Sequence, residues 1–225
     1  MRTLRPVIKQ LFTSFGLAAI ILLAATINAG PVYAEYEQSV IPQNQQQLFS
    51  LDGYAPDQTL WAEKMKLRYE KAKITDERPL ALLKIERLNV DAPVYHGTHW
   101  VTLDRGLGWV EGTAQPDEIG NIGLSGHRDS FFRALKDIEL GDTIEMLTLK
   151  GVQDFRVSDI SIVDALDVSV LDPTDTTVLT LITCHPFYYV GYAPDRYIVR
   201  ATPVGGDGNN DSIHNATLPL ASEMQ

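Results

Sequence analysis

Between Pro79 and about Pro203 the chain runs as short apolar stretches of five to nine residues, each closed by a turn signal. That rhythm limits the available folds more than any single motif does. The stretches fall at 80–85, 90–94, 121–125, 143–149, 155–163, 177–183 and 197–202. Several alternate apolar with polar, as in Phe155-Arg156-Val157 and Ile160-Ser161-Ile162, which is the period of a half-buried strand. Lys150-Gly151 and Asp172-Pro173 supply turn chemistry between them. Such runs are too short for a helical domain. Seven or eight short strands with few helices predict a mainly β fold, a sandwich or a closed barrel. One short helix is expected after Asp129, with Phe131, Phe132 and Leu135 on its apolar side.

The flanks differ in character. Residues 1–34 open with Arg2, Arg5 and Lys9 and contain no acid, then run apolar from Leu11 to Ala29. About 19 such residues are near the minimum for a helical membrane span, and the preceding cations would hold the amino end inside. Pro31-Val32-Tyr33-Ala34 also offers small residues where a signal peptidase reads. Residues 1–34 are therefore expected to be an amino-terminal membrane anchor or a signal peptide. The body would lie outside the cytoplasm in either case, anchored or, after cleavage, periplasmic or secreted. Residues 35–78 are expected to form a polar linker, with glutamines at 43 and 45–47, followed by a helix over 57–73. Asp57 would cap that helix, Leu60, Trp61 and Met65 would dock on the domain, and the rest would face water. Residues 79–203 form the expected globular domain, and 204–225 a polar, disordered tail.

All 29 acidic residues follow the basic leader, against 19 Lys and Arg in the whole chain. An acidic body argues against nucleic acid as a partner, which would require a clustered basic face. The single cysteine, Cys184, rules out an internal disulfide. A lone thiol in an exported body invites oxidation unless it has a use; the competing reading is a small buried hydrophobe.

Around that cysteine the residues suggest chemistry. A strand-like run ends at Cys184, a loop rich in Pro, Gly and Tyr follows, and a second run begins at Arg196. Strands joined this way are usually neighbours, and a cation beside a thiol favours the thiolate and can hold an oxyanion. A thiol nucleophile also needs a proton donor, and histidine is the usual one near neutral pH. The histidines are His96, His99, His127, His185 and His214. His127 stands where a strand ends before a helix, a common place of display, although residue type and placement favour it only narrowly.

The run from Gly120 to Asp129 (GNIGLSGHRD), then Phe132, Leu135 and Gly141-Asp142, resembles the histidine region of sortases. Thr180-Leu181-Ile182-Thr183-Cys184 resembles their cysteine motif, and Arg196 falls where their arginine falls. Residues 85–94 and 103–113 look like their first strands, so the likeness covers roughly 79–203. Cys184-His185-Pro186-Phe187 and Ala193-Pro194-Asp195-Arg196 look most like class D, with His185 standing where tyrosine is common. The resemblance implies a closed eight-stranded β-barrel and a cysteine transpeptidase without metal or cofactor. Cys184 would attack the threonine carbonyl of a Leu-Pro-x-Thr-Gly-like sorting signal, His127 would carry the proton, Arg196 would hold the oxyanion, and Thr183 would orient the substrate. The implied partners are proteins bearing that signal and an amine acceptor of the cell envelope or a pilin. The stretch 164–176 would be a specificity loop on the same analogy.

Other readings rest on fewer residues. A metal site would draw on His127, Cys184 and His185, or on the pair His96 and His99, short of a usual zinc set. Ser125 in Gly123-Leu124-Ser125-Gly126-His127 lacks the closing glycine of a nucleophile elbow. An exported β-barrel that only binds, or a thiol endopeptidase that resolves the thioester with water, would share the fold.

Overall fold

The computed structural model describes residue 51 and residues 54–189 and 191–205. The expected anchor, most of the linker and the tail beyond 205 lie outside the described residues. Eight strands form: β1 (Ala81–Ile85), β2 (Val90–His96), β3 (Leu107–Trp109), β4 (Asn121–Ser125), β5 (Thr143–Thr148), β6 (Gly151–Asp164), β7 (Val178–His185) and β8 (Asp195–Pro203). They close into a barrel in the order β1-β2-β3-β4-β7-β8-β6-β5, with β5 returning to β1. Two neighbour pairs, β2/β3 and β4/β7, are parallel; the other six are antiparallel. The mainly β, closed eight-stranded architecture expected from the sequence is present.

The alternation that marked the strands points one set of side chains inward. Leu83, Ile85, Ile122, Leu124, Ile144, Met146, Phe155, Leu179 and Leu181 are buried in one core. A bulge between Val157 and Asp159 lets the long β6 bend as it passes from β5 to β8. The apolar side chains expected after Asp129 are buried as well, although the turn there, Arg133–Asp137, is a 3₁₀ helix.

Two elements differ from expectation. The first helix, α1 (Glu63–Ala72), starts six residues later than 57. Asp57 instead closes a local turn, its Oδ1 accepting from the Thr59 amide and hydroxyl at 2.8 and 2.5 Å. Trp61 and Tyr69 dock α1 by edge contacts with Phe131, Met65 is buried in the same core, and Leu60 stays exposed. A second helix, α2 (Trp100–Arg105), stands between β2 and β3. It buries Asp104 and Arg105, two charged residues at the end of one short helix.

Candidate active site

β7 lies between β4 and β8; Cys184 and Thr183 are on β7, Arg196 is on β8, and His127 follows the end of β4. In the β7/β8 ladder Cys184 stands directly across from Arg196. Residues opposed in an antiparallel pair project from the same face, so thiol and guanidinium share one side of the sheet. That side is the outer one: Leu179, Leu181 and Thr183 are buried, while Ile182 and Cys184 are half-exposed. Arg196 Nη1 donates to the carbonyls of Asp195 (2.9 Å) and Ala193 (3.3 Å), which steadies the guanidinium at the start of β8.

β4 runs parallel to β7 from Asn121↔Val178 to Ser125↔Ile182. The Gly126 amide extends that ladder by donating to the Ile182 carbonyl at 3.1 Å. The ladder ends there, so His127 opens the turn one residue beyond the last β4/β7 hydrogen bond. Thr183 anchors this junction. Its hydroxyl, only 2% exposed, donates to the Gly126 carbonyl at 2.8 Å and fixes the backbone immediately before His127. Gly126 has to be glycine, because a Cβ would sit 2.6 Å from Phe132 Cδ2 and 2.8 Å from Leu107 Cδ2, both on fully buried side chains.

Beyond Gly126 the chain turns, and the His127 carbonyl accepts from the Ser130 and Phe132 amides. The imidazole is mostly buried. Nε2 lies 3.5 Å from Asp104 Oδ1, and Asp104 is 1% exposed. Arg68 of α1 grips that carboxylate, with Nε donating to Oδ2 at 2.9 Å and Nη2 lying 2.8 Å from Oδ1. Burial holds His127 below its ordinary value of 6.5; Lys64 and Arg68 push the same way, and Asp129 and Asp104 oppose them. Arg68 and Asp104 escaped sequence reasoning. Arg68 belongs to the helix face expected to meet water, and nothing local marks Asp104 as buried.

The segment 186–194 between β7 and β8 is tied back to the histidine side. Arg128 donates to the carbonyls of Pro186, Tyr189 and Gly191, and Arg133 to that of Phe187. His185 is spent on packing, stacked 6.0 Å from Tyr197 and edge-on to Phe187. His96 packs edge-on to Trp109, and His99 lies beside Trp100, so neither joins this cluster. His214 lies outside the described residues. On the outer face, loop 165–177 is pinned above β4 and β8, with Asn121 Nδ2 and Arg200 Nη2 both donating to the Val170 carbonyl at 3.0 Å. Leu171 then covers Gly123. The loop thus packs onto the outer face of β4, and Cys184, half-exposed, lies farther along the neighbouring β7.

Comparison with known proteins agrees with this architecture. The Sortase domain family model matches residues 83–204. Sortase D of Bacillus subtilis (strain 168) is 39% identical over 119 residues, 52% of this chain and 60% of that protein. Sortase A of Listeria monocytogenes is 29% identical over 109 residues, 45% of this chain and 47% of that protein. The aligned part thus spans about half the length of these curated relatives. Among solved structures, a Clostridium perfringens Sortase D5 transpeptidase superposes with a TM-score of 0.53 at 26% identity, covering 66% of this chain and 92% of that one. Barrel topology, the matched domain and these relatives agree: the chain belongs to the sortase family and is most similar to its class D.

Proposed function

We propose that this protein is a cysteine transpeptidase that cuts a sorting signal of the Leu-Pro-x-Thr-Gly type and joins the new carboxyl end to an amine. The observation that carries the reading is the arrangement at one end of three neighbouring strands: Cys184 opposite Arg196 in the β7/β8 ladder, with His127 in the turn that follows β4, the other neighbour of β7. In the proposed reaction the Cys184 thiolate adds to the threonine carbonyl. Arg196 donates to the developing oxyanion; its described hydrogen bonds all run through Nη1. The tetrahedral intermediate collapses as His127 gives its proton to the leaving glycine amine, and a thioacyl enzyme remains. The acceptor amine then adds to the thioester, His127 takes its proton, and the thiolate departs. A buried imidazole held below 6.5 is mostly neutral at physiological pH, so the fraction bearing the donated proton is small.

An extended signal peptide would lie along the half-exposed end of β7 at Cys184, and Thr183, buried and bonded to the Gly126 carbonyl, would act by holding the backbone ahead of His127. Residues 79–203 are proposed as the catalytic domain, and residues 11–29 as an amino-terminal membrane span that keeps it outside the cytoplasm and near envelope substrates. Among the described residues no helix is long and apolar enough to cross a membrane.

The test is mass spectrometry of the full-length chain with a Leu-Pro-x-Thr-Gly peptide library, with and without an amine, beside Cys184→Ala. A thioacyl adduct on Cys184 and amine-dependent ligation, both lost in the variant, are expected. Cleavage without ligation under any amine would replace the reading with a thiol endopeptidase. A folded protein forming no adduct would leave only a binding role.

A further inference from the structure

Two buried polar atoms at the edge of the site face each other without a hydrogen bond. His127 Nε2 is shielded from solvent and has no hydrogen-bond partner among the described residues, while Asp104 Oδ1, equally shielded, has the Arg68 guanidinium at 2.8 Å. Nε2 and Oδ1 stand 3.5 Å apart. A buried ring nitrogen left unsatisfied is costly, and one that faces a carboxylate oxygen points to a hydrogen on that nitrogen, donated to the oxygen. A slight rotation of the imidazole closes the gap, provided Nε2 carries hydrogen.

Asp104 is not free to turn elsewhere. α2 is short and its carboxylate is enclosed, while Arg68 reaches from α1 to both oxygens. Arg68 is itself placed by α1, which docks through Trp61, Met65 and Tyr69. The same helix touches the histidine turn twice more. The Ala62 amide donates to the Asp129 carbonyl at 3.3 Å, and Lys64 pairs with the Asp129 carboxylate at 3.2 Å. The segment ahead of the barrel therefore backs the His127 turn from behind.

We propose that Asp104, clamped by Arg68, is a positioning residue that keeps His127 protonated at Nε2 and so assigns proton transfer with the thiol and the amines to Nδ1. A ring nitrogen bound to a fixed carboxylate sets the tautomer and the orientation of the other nitrogen. The consequence is specific. With Asn at 104, Arg68 still claims the amide oxygen, which turns the NH₂ toward Nε2 and favours the opposite tautomer. The charges facing His127 are Asp104 from α2, Asp129 from its own turn, and Arg68 and Lys64 from α1. Loss of the Asp104 charge lowers the His127 titration midpoint, and loss of Arg68 raises it.

The inference rests on the transpeptidase reading only for its kinetic consequence, so the primary readout is spectroscopic. Long-range ¹H–¹⁵N correlation spectra of the histidine rings are recorded against pH for the full-length protein, with His127 assigned by His127→Gln. The Nε2–H tautomer is expected in the parent. Asp104→Asn should reverse it, lower the midpoint, and reduce ligation kcat/KM by about 10²-fold, the range of a misplaced general acid. Arg68→Gln should retain the tautomer and raise the midpoint. Should Asp104→Asn fail to fold, the parent tautomer and the Arg68→Gln shift decide alone. A parent with Nδ1–H, or midpoints that move in neither folded variant, would overturn the proposal. An unligated substrate in the parent, with the tautomer as expected, would overturn the transpeptidase reading and leave the pairing standing.

Discussion

His127 sits in the site as a mostly buried imidazole with cations and carboxylates on either side. Because burial holds its folded value below 6.5, the unfolded chain binds its proton more readily than the folded one. Its contribution to stability is therefore fully present above about 6.5 and is lost as pH falls from there toward the folded value. His127→Gln removes this dependence. Denaturant unfolding at pH 7.5 and 5.5 should show the parent losing more stability than the variant across that step. Asp57, Asp142 and Asp167, whose values are lowered by hydrogen bonds from Thr59, Arg87 and Ser169, lose their contributions only at more acid pH. Cys184 could be picked from the sequence because it is the single cysteine, whereas His127, one of five histidines, and Arg196 stood out through the motifs shared with sortases. Asp104 and Arg68 could not. They lie 36 residues apart, and only the docking of α1 brings them together.

At the scale of elements, the link between β7 and β8 illustrates how loop geometry is held from outside. Three carbonyls of segment 186–191 converge on Arg128 and a fourth on Arg133, whose guanidinium also lies 4.1 Å from the Tyr188 ring centroid. A planar guanidinium can serve several carbonyls at once, whereas a glutamine amide cannot. Arg128→Gln should raise deuterium exchange across 187–192 severalfold and leave exchange within β7 and β8 unchanged, because the ladder does not depend on the loop. Most strands could be read from alternation, to within two residues at most ends. β3 could not, because it is three residues long with Gly108 at its centre, and backbone pairing alone defines it. The helix start was misplaced because propensity favoured 57–62 while the Asp57 side chain closed a turn there, and because Trp61 is buried by docking rather than by helical periodicity.

Across the whole molecule, α1 and the barrel share one apolar core, with Trp61, Met65 and Tyr69 in the same cluster as Leu83, Phe155 and Val199. They should unfold together. Phe131→Ala, which removes a ring 4% exposed between α1 and the barrel, should cost about 3–5 kcal/mol. It should lower the midpoints of tryptophan fluorescence and far-ultraviolet circular dichroism by the same amount. Separate midpoints would mean that α1 melts off on its own.

The parallel pairing of β4 with β7 has a consequence for the order of events in biogenesis. Gly126 and Thr183 touch across a sequence separation of 57 residues, and the ladder beside them cannot form until everything between has been made and folded back. A nascent chain therefore carries His127 well before the thiol, and gains Arg196 only after Cys184. Ligation would then appear in a single step at barrel closure, and refolding kinetics followed by enzyme turnover would track long-range strand pairing instead of local helix formation.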